Sequence, residues 1–307
     1  VRQFGAVAAI LALAYAVGAA IPYAQTTFAR TIAQLSEPGG YFDTDNLISN
    51  ESSYLQVIPE LQRRGIRAGA YIGVGPDQNF SYIAATRPSI ALIVDIRRDN
   101  LLLHLLFKAL FQLSRTRVEY LSLLFGRTVP ADLDAWRTAP IERLLKHVDE
   151  SGRADAAALQ ARIDRAVRDC GVPLSQEDLE TVARFHGRFV AAGTALQFQS
   201  TGRPPQSNYP TYRDLVADTD ASGRQSNFLA SEEAFQFVRG LEGRGLVIPI
   251  VGDLSGPTAL AAIGRYLASR NERVTAFYTS NVEFYLQRQG TMGQFLANLK
   301  QLPHTPN

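Results

Sequence analysis

Cysteine, methionine and histidine are all scarce in this chain of 307 residues. Cys170 is the only cysteine. A lone thiol excludes an intrachain disulfide framework, a Cys-x-x-Cys redox pair and any multi-cysteine zinc or iron–sulfur site. The four histidines, His104, His147, His186 and His304, are scattered, so no His-rich metal site is expected. An excess of either charge is missing too: 31 Lys plus Arg face 29 Asp plus Glu, a formal net charge of +2. That balance gives no electrostatic reason to expect nucleic acid as a partner. Met292 is the only methionine, so the start of the chain is expected to be trimmed or incomplete.

Templates for several chemistries are also absent. There is no G-x-x-x-x-G-K-[ST], no H-E-x-x-H and no G-x-S-x-G; Gly252–Gly256 reads GDLSG, with the serine misplaced. Asp218–Gly223 (DTDASG) begins like a calcium loop, but Leu229 stands where the bidentate glutamate is required. The two DTD triplets, from Asp43 and Asp218, therefore read as loop residues. What the chain does have is material for a core. Hydrophobic residues make up 46% and charged residues 20%, as in an ordinary globular protein, and the length suits one large domain or two small ones.

No charge follows Arg2 until Arg30, and Phe4–Ala20 is apolar and rich in Ala, Val and Leu. A basic start, a short apolar run and small residues before a polar change are the parts of a secretory signal peptide. Cleavage is expected near Ala24–Gln25, making residues 1–24 a leader and the protein exported, to a periplasm or beyond. The alternatives are an uncleaved anchor, the only route to a membrane here, and a buried core helix.

Beyond the leader, Thr26–Leu35 reads as a helix and Glu37–Asn50 as turns. Glu51–Arg64 reads as an amphipathic helix with Leu55, Ile58 and Leu61 on one face. Ala70–Val74 and Ile90–Ile96 are short apolar runs of the kind buried in parallel sheets, with a helix over Phe80–Ala85 between them. A long helical pattern follows over Leu101–Phe125. Residues 129–193 are mostly helical and polar, and read as an insertion or cap. Gln197–Arg224 is loop-like. Ser231–Leu241 is a helix capped by its serine. Leu246–Val251 and Val274–Ser280 are strands flanking a helix in Gly256–Arg270. Pro249 is awkward there, because a central strand loses a ladder donor at proline. This alternation predicts an α/β fold: a doubly wound, mostly parallel sheet in one domain, residues 25–307, with a helical insertion.

Ligands of such sheets bind beyond the carboxyl ends of the strands. Gly73 and Gly75 lie at such an end, and Pro76 suits a first helical position. Glycines let a ligand approach the backbone, and the helix start offers free N–H groups. Gln78 replaces the third glycine of G-x-G-x-x-G, so the bland alternative is a plain strand–helix turn. Asp95 ends the next strand, 22 residues after Gly73. A carboxylate at that spacing suits a ribose diol; its alternative is capping, or pairing with Arg97 or Arg98. Gln78, Asn79 and Arg97 complete the expected cofactor-contacting set. Asp253, Tyr278, Asn281 and Glu283 are expected at the rim, on the substrate side. Ser280 or Asn281 could equally cap the next helix.

With GAYIGVGPDQNFSYI (Gly69–Ile83) followed by IALIVDIRRDN (Ile90–Asn100), the chain resembles S-adenosylmethionine-dependent methyltransferases of the Rossmann-like class. It resembles more closely an uncharacterised bacterial family with that fold, through DNLISNESSY, SNFLASEE, VIPIVGDLSGP and AFYTSNVEFYL. The likeness covers most of residues 37–290. It implies S-adenosylmethionine as cofactor, with Gly73 and Gly75 beneath its methionine part and Asp95 on its ribose hydroxyls. It places Asp253 near substrate or cofactor contacts. Two features depart from the pattern. Ala70, Tyr71 and Ile72 stand where the first strand usually carries an acid, and no C-terminal strand pair is evident after Leu299. Three functions remain open: a methyltransferase-like enzyme of unknown substrate, an exported non-catalytic protein binding a nucleoside-type small molecule, and an NAD-linked enzyme in which Arg97 and Arg98 suit a phosphorylated ribose.

Overall fold

The computed structural model describes residues 20–44, 46–200, 206 and 208–304. The apolar run expected as a leader lies outside these up to residue 19. The expected cleavage point, Ala24–Gln25, falls inside the first helix, α1 (Ala20–Leu35). Among the described residues no helix is long and apolar enough to cross a membrane.

Four strands form one sheet: β1 (Ala70–Val74), β2 (Ile90–Asp95), β3 (Val247–Val251) and β4 (Val274–Tyr278). All pairings are parallel, in the order β3-β2-β1-β4. Every residue of β1, β2 and β3 is buried, as expected of a parallel sheet covered on both faces. The chain moves outward from β1 through β2 to β3, then returns to the far side of β1. With right-handed crossovers, that reversal sends the helices after β3 to the opposite face from those before it. The result is a Rossmann-like α/β sheet whose order reverses between β1 and β4.

Pro249 fits because β3 is an edge strand. Gly252 donates its N–H inward to Asp95, while Val251, the alternate residue, donates outward to Ser36 Oγ at 3.1 Å. Pro249 shares the outward phase of Val251, so its missing N–H costs no ladder bond. Along that edge α1 packs on β3 through Phe28, Ala29, Ile32 and Leu35, a stripe at helical spacing.

On the other face lie α3 (Gln78–Thr86), α4 (Arg98–Leu113) and α10 (Glu232–Gly243). α4 is buried from Asn100 to Phe111. The long helix expected over Leu101–Phe125 is in fact two, α4 and α5 (Arg117–Leu124). Ser114 turns extended and its hydroxyl donates back to Leu110 O at 2.7 Å; Thr116 then caps α5 by accepting from Glu119 N. Local side-chain bonding here outcompetes helical continuation. Likewise Glu51–Arg64 is not one helix but a 3-10 turn (Tyr54–Val57) followed by α2 (Ile58–Arg63), with Pro59 in its first turn.

The middle of the chain forms α6 (Ile141–Glu150), α7 (Ala156–Asp169) and α8 (Gln176–Ala192). α7 and α8 pack on α4, and their buried residues, Leu159, Ile163, Val167, Val182 and Phe189 among them, belong to the same hydrophobic cluster as the sheet. A short helix, α9 (Tyr212–Ala217), interrupts the stretch expected to be loop. After β3 come α11 (Ala259–Ser269), α12 (Val282–Gln289) and α13 (Met292–Leu299). Helices, not strands, follow β4 among the described residues.

Candidate functional site

The carboxyl ends of all four strands open into one cleft of about 880 Å³, open solvent included. Its floor is Val74–Gly75 of the β1 turn and Val94–Asp95 of β2. Gly252 and Asp253 close it after β3, and Ser280 and Asn281 after β4. This is where the strand order reverses, the usual ligand position in open α/β sheets.

The β1 turn is built by its own side chains. Asn79, fully buried, donates from Nδ2 to Val74 O at 3.0 Å, Gly75 O at 3.2 Å and Pro76 O at 2.8 Å, while its Oδ1 accepts from the Tyr71 hydroxyl at 2.8 Å. Gly73 is what lets Asn79 sit there: a Cβ on residue 73 would lie 1.9 Å from Asn79 Oδ1. Gly73 and Asn79 thus shape the turn and neither lines the cleft. Gly75 does line it, in the left-handed region at φ +87°. His104, on α4, is bonded to Gly75 O at 2.9 Å through Nε2. Burial pushes its imidazole down to about 4, so a neutral ring donates that bond. Gln78 lines the cleft at 4% exposure, and its Oε1 has no hydrogen-bond partner among the described residues. A buried orphan acceptor beside an open cleft is a place for a ligand donor.

Asp95 also lines the cleft, but the pairing alternative is realised. Its Oδ1 accepts from Arg97 N at 2.9 Å and Arg97 Nε at 3.1 Å, and its Oδ2 from Arg97 Nη2 at 2.9 Å. Both side chains are more than nine-tenths buried. Arg97 continues to Thr44 O at 2.9 Å through Nη1.

Of the rim residues, Asp253 and Asn281 line the cleft. Asp253 Oδ1 accepts from Ser255 N and Oγ, both at 2.8 Å, and its N–H donates to Glu37 at 2.7 Å. Asn281 sits at the start of α12 without a side-chain capping bond. Tyr278 and Glu283 do not line it. The Tyr278 hydroxyl donates to Glu51 Oε2 at 2.9 Å, and burial raises it far above the usual phenol range. Glu283 is exposed and accepts from Thr279 at 2.8 Å.

Sequence reasoning missed the lid side. Phe42, Thr44, Asn46, Ser49 and Asn50 line the cleft from the loop before α2. Tyr285, Leu286 and Gln289 line it from α12, and the Phe42 and Tyr285 rings meet edge to face at 4.7 Å. Glu51 fastens this loop to the end of β4 by accepting from both Tyr278 and Ser280. Ser280 is held at φ +52°. The pattern DNLISNESSY marked this segment without saying what it does; Asp45, within it, lies outside the described residues. Among the described residues no group of three His, Cys, Asp or Glu is placed to hold a metal.

These features define an α/β protein with a parallel sheet and a cleft at its switch point. The chain belongs to the family described as Domain of unknown function (DUF7790), which it matches over residues 46–139 and 190–307. The stretch left unmatched between these two segments, 140–189, holds α6, α7 and nearly all of α8. No curated protein matches the chain.

Proposed function

We propose that the cleft binds an adenosine-type small molecule, and that S-adenosylmethionine, with methyl transfer to a substrate of unknown identity, is the first activity to test. One observation carries the binding reading. The cleft at the strand reversal is lined by the left-handed Gly75 beside Gln78, whose Oε1 has no hydrogen-bond partner among the described residues. A ligand amine or hydroxyl there would satisfy a buried acceptor otherwise left at a cost of about 1–3 kcal/mol. Methyl transfer is compatible because positioning can supply much of the catalysis without a proton-transferring residue.

A second reading, binding without catalysis, is favoured by a different observation. No acid stands in β1 to hold an amino-acid tail, and Arg97 occupies most of the Asp95 carboxylate. Calorimetric titration of the full chain with S-adenosylmethionine, S-adenosylhomocysteine, NAD and adenosine separates the cases. Binding of the two sulfur compounds well above adenosine supports the methyltransferase reading. Equal binding of all adenosine-bearing ligands supports the second. No binding by any of the four overturns both.

A further inference from the structure

β4 passes into α12 through Thr279, Ser280 and Asn281. Ser280 is half-buried, lines the cleft and is held at φ +52°, a region that favours glycine. A strained strand-to-helix turn is one way for a parallel sheet to lift a serine hydroxyl into its cleft. The template with glycine two residues to either side passes this serine over, because Tyr278 and Val282 stand there. The Ser280 hydroxyl donates to Glu51 Oε1, and the Tyr278 hydroxyl donates to Glu51 Oε2 at 2.9 Å. Both carboxylate oxygens are thus held by hydroxyls. Glu51 is also fixed at its backbone, where its N–H donates to Ser49 Oγ at 3.0 Å. These are the three parts an activated nucleophile needs: a hydroxyl, a base in hydrogen-bond contact with it, and a third group that orients the base. The N–H of Asn281, next along the chain, makes no hydrogen bond among the described residues. Beside the serine the cleft is apolar, with Val282, Tyr285 and Leu286 on α12 and Phe42 against the Tyr285 ring.

We propose that Ser280 is a nucleophile with Glu51 as its general base, and that this end of the cleft hydrolyses carboxylic esters of an apolar acyl group. Ser280 Oγ attacks the ester carbonyl carbon while its proton passes to Glu51 Oε1. The carbonyl electron pair moves onto oxygen, and the developing oxyanion is offered the Asn281 N–H. As that pair returns, the bond to the alcohol oxygen breaks, and the alcohol leaves with the proton from Glu51. Water then attacks the acyl-serine, giving its proton to Glu51. Ser280 Oγ departs with that proton, which releases the carboxylic acid and restores both side chains. Tyr278 is a positioning residue: its hydrogen bond fixes Glu51 and favours the ionised form. The inference does not rest on the adenosine reading.

The test follows release of p-nitrophenol from p-nitrophenyl butyrate by the full chain. In parallel, the chain is treated with phenylmethanesulfonyl fluoride and the labelled peptide is located by mass spectrometry. The expected result is saturable release that disappears in step with labelling of Ser280. Ser280→Gly deletes the hydroxyl and relieves the left-handed strain, so the variant should fold and release no more than the denatured chain. Glu51→Gln should lower kcat/KM roughly a hundredfold or more. Tyr278→Phe should move the acid limb of the kcat/KM profile to higher pH, because Glu51 loses a bond that favours its charge; a merely structural role would scale the profile without moving it. Tyr82, which also faces Glu51 from α3, stays neutral throughout, since burial raises its hydroxyl far above the usual phenol range. No release above the denatured chain, release undiminished in Ser280→Gly, or a label confined to another residue overturns the proposal and leaves the cleft's binding reading untouched.

Discussion

Asp95 and Arg97 sit two residues apart, and the guanidinium covers both carboxylate oxygens. Spacing alone marked Asp95 as a rim carboxylate after a second strand. It could not say whether the partner was a ligand or the next arginine, because β-strand ends and their following turns place both within reach. The two roles differ in what Asp95→Ala does. Removing one half of a buried pair strands the other, a loss of about 3–5 kcal/mol, so the melting temperature should drop clearly. Adenosine affinity should fall as well, because Arg97 loses its anchor at the cleft wall. A variant that melts like the parent would show that the pair contributes no stability.

The two glycines of the β1 turn make a sharper comparison at the same scale. A Cβ on residue 73 would overlap Asn79 Oδ1, whereas one on residue 75 would lie 3.0 Å from the flexible end of Gln78. Gly73→Ala should therefore displace the side chain that bonds three turn carbonyls and lose more than the roughly 1–3 kcal/mol of ordinary overpacking. Gly75→Ala carries the left-handed strain of about 1–2 kcal/mol and narrows the cleft. Denaturant titration should rank Gly73→Ala as the less stable of the two, and ligand titration should find Gly75→Ala impaired at conditions where it is folded. The reverse order of stability would contradict the packing argument.

Among elements, all four strands and most helices were legible from their apolar runs and periods, which match burial closely in β1, β2 and β3 though β4 is only half-buried. The misses have local causes. Ser114 and Thr116 offered no hydrophobic interruption, yet their hydroxyls end one helix and start another. Pro249 looked like a defect only while β3 was taken as central. The charge pair holding α4 to α10 was invisible for a different reason: Lys108 and Glu242 are 134 positions apart. Lys108 Nζ lies 3.5 Å from Glu242 Oε2, donates to Glu242 O, and stands 4.6 Å from the centre of the Phe28 ring on α1. Burial pushes the Glu242 carboxyl up to about 7 against the pull of Lys108. Lys108→Met removes the group that holds the Glu242 carboxyl down, so it should cost about 3–5 kcal/mol at pH 8, where the carboxylate must either stay unpaired or take up a proton. The loss should shrink near pH 5, where the carboxyl is neutral. A pH-independent loss would mean that packing against Phe28, not charge, holds the three helices together.

At the scale of the whole molecule, the sheet was legible, but the loop over the cleft was not, since turn residues carry no period. The same scale sets the response to pH. Burial raises Asp77 and Glu242 to about 7. Each therefore favours the folded state below its unfolded value near 4, and that contribution is lost as pH rises toward 7. Burial lowers His104 to about 4, and lowers His147 and His186 as well. These groups act oppositely: the unfolded chain holds their protons up to about pH 6.5, so their burial favours folding more as pH rises through that window. Between pH 4 and 6.5 the two sets offset each other, and stability should be nearly level. Below pH 4 the carboxylates held down by hydrogen bonds, Asp178, Asp214 and Asp220, must take up protons, and stability should fall. Asp77→Asn exposes the hidden balance. It removes a carboxyl that must ionise in the interior, in a small cavity it shares with Tyr54, Tyr212 and Asn227. The variant should gain in melting temperature over the parent at pH 8, gain much less at pH 5, and turn the level stretch into a rise with pH. An equal difference at both values would show that the carboxyl is ionised in the folded chain throughout, and that burial around the glycine turn does not set its charge.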